Sequence, residues 1–526
     1  MPDKSKVRNR YLKGKEMLAK TRSYALSGID GYEVLIEVDL NSGLPSYDTV
    51  GLADTAVKES KERVRSAIKN SLYPYPVRKI TINLAPADVK KEGSHFDLAI
   101  ALGILIASEA AECKDYKDYI VLGELSLDGS INHVKGVMPL IIAALQDGHK
   151  KFIIPSANAK EASFISGIEV YAFDKLNQVV DFLSGKSQVE PLKTSEFSGA
   201  KAENKYGVDF KEVKGQYVAK RALEIAVAGG HNVLMIGPPG AGKTMMAKCV
   251  PTIMPDMTFD EAIEVTKIHS VAGILDNNVG IVATRPFRTP HHTATVPALM
   301  GGSSNARPGE ISLAHNGVLF LDEMPEYQRR TLETLRQPLE DGVAVVSRAK
   351  QTLEYPARFM LVASMNPCPC GNLGSSTQQC KCTPGEIHRY ISKLSGPLLD
   401  RIDLQIEVDA VSYEDFRSTI PDEDSATIKA RVEKARAIQR ERYKGTKTKT
   451  NDEMTNAQLK KYCALDAEGE KLLKNAFTRL NLTARATSRV LKVARTIADL
   501  EGCDDILAKH VAEAVQYRSL DRKYWD

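Results

Sequence analysis

The octapeptide from Gly237 to Thr244 constrains this chain more than any other stretch. It runs Gly237, Pro238, Pro239, Gly240, Ala241, Gly242, Lys243, Thr244, which is the Walker A spacing of two glycines followed by lysine and a hydroxyl. The apolar run ending at Ile236 precedes it, fit for a buried parallel strand, and a helical pattern starts at Met245. Strand before and helix after is the setting the loop needs. Its glycines let backbone N–H groups curl round a β-phosphate, and the helix N-terminus adds a positive dipole. Lys243 is then expected to reach the β- and γ-phosphates and Thr244 to ligate Mg²⁺. The structural alternative is a chance match, against which the flanks weigh. ATP and Mg²⁺ are the expected ligands.

A second apolar strand, Val318 to Leu321, ends in Asp322 and Glu323 about 80 residues downstream. Such a strand alone says little; placed after a Walker A loop, it reads as Walker B. Asp322 would hold Mg²⁺ through its waters and Glu323 would polarise the attacking water as general base. The run Phe359 to Asn366 is another buried strand ending in an amide, suited to positioning water beside the γ-phosphate. Arg401 falls at the end of a short helix over Ser395 to Asp403. In AAA+ rings an arginine so placed stabilises charge on the neighbouring subunit's ATP; the plain alternative is a salt bridge to Asp400 or Asp403. Arg485 and Arg489 lie four apart on a helical pattern. Arg485 is the preferred second sensor acting in cis, with a solvated helix face as the alternative.

At 526 residues the chain has room for about three domains. The pattern is α/β and multidomain: a mixed block over 24–185, a polar linker over 186–212, an α/β nucleotide core over 213–410, and helices over 411–526. The apolar region from Leu98 to Ala107 is too short to span a membrane and reads as a buried helix. Residues 1–22 hold eight Lys or Arg against Asp3 and Glu16, and lack the apolar core of an export signal. The expectation is a cytoplasmic protein whose first 23 residues are a disordered basic tail. A nucleic-acid arm is the alternative, and Met17 is an alternative start. Net charge is only +4, so any DNA contact must come from local placement of basic side chains.

Four of the eight cysteines are scattered (Cys113, Cys249, Cys463, Cys503) and read as reduced core thiols. The other four form two C-x-C pairs, Cys368 with Cys370 and Cys380 with Cys382, around a Gly/Ser/Thr loop. In a reducing compartment that pattern favours tetrahedral Zn²⁺ over disulfides. The metal would be structural, pinning the loop between Asn366 and the Arg401 helix. Metal-free thiols are the alternative.

The runs Gly229–Thr244, Arg285–His292, Asn366–Gly371 and Ser395–Arg401 closely resemble the YifB/ComM family of magnesium-chelatase-like AAA+ proteins. The likeness extends from about Tyr24 to Arg522. It implies three parts: a Lon-protease-like α+β N-terminal domain of ribosomal-protein-type β-α fold, a P-loop AAA+ core, and a C-terminal α-helical lid. It also implies a homo-hexameric ring, formed with nucleotide or DNA, that drives branch migration on single-stranded or branched DNA. That activity would serve natural transformation, alongside recombination proteins.

Residues that could hold DNA fall in two places. An insertion over 255–312 carries Arg285, Arg288, His291 and His292, and in related motors projects toward the ring channel. The stretch Val343 to Tyr355, with Arg348 and Lys350, alternates as a β-hairpin with its tip at 349–351. Cationic points round a channel could track a phosphate backbone without reading sequence. Surface loops binding another protein are the alternative. The His291–His292 pair has no carboxylate spaced to complete a metal site.

In the N-terminal block, Lys91–Asp97 and the stretch from Gly123 to Gly129 onward resemble the Lon segments bearing its serine and lysine. Aligned without gaps, those positions fall on His95 and Met138, with Ser94 and Lys135 out of register. A Ser–Lys dyad needs a neutral lysine within hydrogen-bond reach of the hydroxyl. A non-proteolytic assembly or partner domain is therefore expected, and an ATP-dependent protease is disfavoured. A motor that remodels proteins is the runner-up to the DNA motor. A chelatase subunit proper is disfavoured because the N-terminal block and the cysteine cluster would be extra.

Overall fold

The computed structural model describes residues 17–197, 206–276, 278–302, 307–348, 351–374, 378–410, 422–520 and 524. The chain divides into two compact units, Met1–Phe197 with Thr266–Val282, and Ser198–Val265 with Ala283–Asp526. Among the described residues no helix is long and apolar enough to cross a membrane.

The first unit is built on seven strands: β1 (Leu18–Ser27), β2 (Asp30–Asn41), β3 (Ser46–Val50), β4 (Lys79–Ala85), β5 (Tyr119–Val121), β8 (Lys151–Pro155) and β9 (Glu169–Phe173). A two-stranded ribbon of β6 (Glu124–Leu125) and β7 (Ile131–Asn132) lies between β5 and β8 in sequence. The sheet order is β3-β4-β2-β1-β5-β8-β9, antiparallel at β1–β2 and β2–β4 and parallel elsewhere. Period-two burial of Val34, Ile36, Val38 and Leu40 aims one face of β2 at the core. The helix Asp97–Ala107 is buried almost all round, as its uninterrupted apolar sequence demands. Gly103 lets it close on the sheet, since a Cβ there would stand 2.6 Å from Val38 Cγ2.

The residues of the sought dyad are otherwise engaged. Ser94 Oγ donates to Glu124, and half-buried His95 bonds the Tyr24 carbonyl at 2.9 Å. Met138 is buried, its N–H donating to Glu161 at 3.0 Å. Residues 266–282, read as part of a channel-facing insertion, instead complete this unit: the Gly136 N–H donates to Ser270 Oγ at 3.1 Å, and Ser270 in turn donates to Glu161. Residues of the expected linker are also held here, with the Leu192 N–H on Val170 O at 2.8 Å and the Ser195 N–H on Ser163 O at 2.8 Å.

The second unit has β10 (Val233–Ile236), β11 (Phe287–Arg288), β12 (Val318–Leu321), a hairpin of β13 (Val343–Arg348) and β14 (Gln351–Pro356), then β15 (Met360–Met365) and β16 (Leu404–Glu407). Five of these make an all-parallel sheet in the order β11-β12-β15-β10-β16. Every residue of β10, β12 and β15 is buried, the continuous apolar pattern of strands covered on both faces. The helices Tyr217–Gly229 and Lys243–Ile253 share one apolar core with the C-terminal helices Ser425–Arg442, Ala484–Glu501 and Ala508–Gln516. Phe210, at the end of the expected linker, is buried in that core. Four of the C-terminal helices start on a side-chain cap, from Asp424, Thr455, Asp466 and Thr483. Such caps are worth about 1 kcal/mol each, which fixes where the helices begin.

Candidate functional site

β10, between β15 and the edge strand β16, delivers the chain to the phosphate loop. Gly237 is required by crowding, because a Cβ would sit 2.1 Å from the Val408 carbonyl oxygen. Gly240 and Gly242 are required by conformation, with φ of +80° and +86° and open space where a side chain would be. That open side is where an anion fits. Lys243 Nζ donates to Gly237 O at 2.6 Å, Pro238 O at 2.9 Å and Asn366 Oδ1 at 3.2 Å. Burial lowers the Lys243 pKa, and the charges of Asp322 and Glu323 oppose that shift.

Parallel pairing of Leu321 with Ala363 sets the next residues, Asp322 and Ser364, side by side. Thr244 Oγ1 donates to Asp322 Oδ2 at 2.9 Å, and Ser364 Oγ donates to the other carboxylate oxygen. The Glu323 N–H donates to Ser364 Oγ at 3.2 Å. Glu323 itself holds φ +49°, ψ +49°, a left-handed conformation that costs a residue with a side chain about 1 kcal/mol or more. Lys243, Thr244, Asp322, Glu323 and Asn366 therefore converge at the carboxyl ends of β10, β12 and β15. Hydroxyl and carboxylate at 2.9 Å can share a hard cation, and a buried ammonium beside open loop amides can hold phosphate. Ser364 was missed by motif reading, although period two put it on the same strand face as Asn366.

The arginines gather at the other end of the sheet. The Asn232 side chain, just ahead of β10, donates to the Arg401 carbonyl at 3.0 Å, and the Asn232 N–H donates to Asp403 at 2.8 Å. Arg401 Nη1 donates to Pro397 O at 2.6 Å, while Nη2 pairs with Glu340. Arg485 pairs with the other oxygen of the same carboxylate at 3.5 Å. Arg489 is committed to Asp403. Two expectations change. The partner of Arg401 is Glu340, neither Asp400 nor Asp403. Arg485 stands with Arg401 at the amino ends of the strands, the end remote from its own phosphate loop, so its in-cis sensor role is withdrawn.

The DNA candidates divide as sharply. Arg285 gives Nε to Pro255 O at 2.6 Å and Nη1 to Asn316 O at 2.7 Å, and pairs with Glu261 at 3.0 Å. Arg288 forms a two-pronged pair with Glu310 at 2.6 and 2.7 Å. Both guanidiniums are paired within the fold, with about a third of the Arg288 side chain exposed (33%). His291 and His292 pack ring against ring at 4.1 Å, on a loop whose Pro290 carbonyl accepts from Tyr327 Oη at 2.5 Å. The hairpin forms with Arg348 opposite Gln351 as its last rung. Its tip, with Lys350, lies outside the described residues.

Beyond Asn366 the four clustered cysteines converge. Sγ of Cys368 lies 3.4 Å from Cys370 and 3.7 Å from Cys380, Cys370 lies 3.6 Å from Cys380, and all four sulfurs, Cys382 included, fall within 4.8 Å of one another. Thiolates about 2.3 Å from one tetrahedral Zn²⁺ would be about 3.8 Å apart, so the donor set fits the ion. The backbone N–H groups of Asn372 and Lys381 lower the Cys370 pKa to about 6, favouring the thiolate. The remaining four cysteines are free thiols.

The family pattern described as magnesium chelatase, subunit ChlI, matches residues 209–416, and its C-terminal counterpart matches 422–518. A pattern described as subunit ChlI of Mg-chelatase matches 36–158, so the N-terminal block carries a chelatase description too. The chain is 44% identical to competence protein ComM of Haemophilus influenzae over 96% of its own length and 98% of the relative's. It is 42% identical to protein YifB of Escherichia coli, again over 96% and 98%. Likeness to the magnesium-chelatase 38 kDa subunit of Rhodobacter capsulatus is 26% over 32% of this chain and 53% of that one.

Proposed function

The chain belongs to the YifB/ComM family of magnesium-chelatase-like AAA+ proteins, and on that premise we propose that it is a cytoplasmic, hexameric, ATP-driven DNA motor. Its task would be branch migration while transforming DNA is integrated by homologous recombination, together with recombination proteins. The observation that carries the reading is 44% identity to a competence protein over nearly the whole of both chains.

The ATPase half is supported by the converging side chains. Lys243 would exchange its carbonyl partners for β- and γ-phosphate oxygens. Thr244 and Asp322 would hold Mg²⁺, which when bound offsets negative charge on those oxygens. Glu323 would take the proton of the attacking water, with Asn366 orienting that water. Arg401 and Arg485, remote from their own phosphate loop, would complete the site of the adjacent subunit. The N-terminal unit is read as a Lon-like domain without protease chemistry, supported by Ser94 bonding a glutamate instead of a lysine. The four clustered cysteines would hold a structural Zn²⁺.

The DNA half rests on His291, His292 and the β13–β14 hairpin. A second reading, a motor that remodels proteins, is favoured by the loss of Arg285 and Arg288 to internal ion pairs. Steady-state ATP hydrolysis with and without single-stranded DNA separates the two, using Glu323→Gln as the blank. Several-fold stimulation that vanishes in the variant supports the DNA motor; turnover indifferent to DNA supports the second reading.

A further inference from the structure

We propose that the four-cysteine knuckle is a metal-dependent brace for the phosphate loop, so that Zn²⁺ occupancy sets how tightly the chain holds nucleotide. The proposal rests on the zinc reading above and adds what the metal controls. Two contacts tie the knuckle to the nucleotide site. Asn366, whose side chain accepts from Lys243 at 3.2 Å, stands two residues before Cys368, the fully buried member of the cluster. On the other side, Gly371 turns back at φ +81° with its N–H on Cys368 O at 3.0 Å. It lies so close against Pro239 that a Cβ would be 2.5 Å from Cδ and 2.9 Å from Cγ of that ring. The wall of the phosphate loop at Pro239 is thus the backbone of the knuckle.

The segment leaving the cluster returns to the same place. Thr383 caps the helix Pro384–Ile391 with a reciprocal bond to Glu386, and that helix brings Tyr390 back to where the Asn366 backbone N–H acts on its hydroxyl. The described residues between Asn366 and Tyr390 thus leave the nucleotide site and return beside it. Among these described residues, apolar packing is confined to Pro367, Cys368, Leu373 and the helix itself. In a loop with this little apolar packing, a bound metal supplies much of the rigidity. With Zn²⁺ bound, Gly371 is pinned and Pro239 has a fixed wall. Without it the loop explores arrangements that do not fit phosphate, and apparent affinity falls to the fraction that still fits.

The test uses the full chain and reads metal and nucleotide separately. Zinc content and affinity for a fluorescent ATP analogue in Mg²⁺ are measured on protein as purified, stripped with a zinc-selective chelator, and restored with Zn²⁺. The same is done on Cys380→Ser and Gly371→Ala, with circular dichroism as the check on folding. The expected result is one Zn²⁺ per chain and affinity about tenfold weaker on stripping, recovered on restoring the metal. Gly371→Ala, with Zn²⁺ content measured alongside, is expected to keep its metal and still lose affinity, because the added methyl presses on Pro239 and strains the turn at φ +81°. If Cys380→Ser fails to fold, the stripped protein and Gly371→Ala decide. A chain that takes up no Zn²⁺ overturns the zinc reading and the brace with it. A chain that binds Zn²⁺ yet keeps its nucleotide affinity when stripped, or in Gly371→Ala, overturns the brace alone.

Discussion

Thr244 donates its hydroxyl hydrogen to Asp322 across 2.9 Å, and Ser364 occupies the other oxygen of that carboxylate. Ser364 also accepts the N–H of Glu323 at 3.2 Å, so one hydroxyl orients both acidic residues. Ser364→Ala is expected to lower kcat about tenfold while leaving ATP affinity within about twofold, since it positions groups without touching phosphate. ATPase kinetics with a direct binding titration check this. An unchanged kcat would remove Ser364 from the account.

Arg401 and Arg485 close on the two oxygens of Glu340, at the sheet end away from their own phosphate loop. If they serve an adjacent subunit, Arg401→Ala binds ATP but loses at least about a hundredfold in turnover. Lys243→Ala should be equally inactive. Mixing the two should restore roughly a quarter of wild-type activity, because in a random ring that share of interfaces pairs an intact loop with an intact arginine. A mixture as dead as its parts would contradict action between subunits.

Arg285 is a structural residue, with backbone carbonyls and Glu261 as its partners. Arg285→Ala leaves buried acceptors unpaired and is expected to cost about 2–4 kcal/mol of stability. The salt dependence of DNA binding should not change, because no phosphate contact is lost. Thermal melting and binding at several salt concentrations test both halves. A shallower salt slope with an unchanged melting point would return Arg285 to the DNA surface.

These outcomes mark what could be read along the chain. The phosphate loop, the Asp322–Glu323 strand end and the C-x-C pairs are local patterns, in which spacing alone sets the chemistry. Ser364 was equally legible from period two on β15. The partners of the arginines were not. Glu340 is 61 residues from Arg401, and most acceptors of Arg285 are backbone carbonyls, which no side-chain pattern announces. A basic residue in an insertion looks the same whether it meets DNA or a carbonyl of its own fold. Residues 266–282 were misplaced for a similar reason, since membership of a unit is decided by packing such as Ser270 on Glu161.

His231 supplies a pH dependence. It is buried, with Nε2 on Thr496 Oγ1 at 2.8 Å and no partner for Nδ1 among the described residues. Burial pushes its pKa down from 6.5 to about 4, against the charge of Asp403 and with help from Lys492, Arg489 and Arg436. A depressed histidine is neutral when folded while the unfolded chain takes the proton. Its contribution is therefore complete above about pH 6.5 and falls by about 1.4 kcal/mol per unit down to pH 4. His231→Gln lacks this loss, so the melting-temperature gap between it and wild type should narrow from pH 7.5 to pH 5. A constant gap would show that the imidazole is not held neutral.

The central claim is that nucleotide turnover at this site moves DNA. The most direct measurement is strand displacement from a synthetic three-strand branched DNA, with wild type, Lys243→Ala and Glu323→Gln side by side. The account predicts release of the displaced strand by wild type with ATP and Mg²⁺, and none without ATP or with either variant. Wild-type protein that hydrolyses ATP yet displaces no strand from any branched substrate would contradict it.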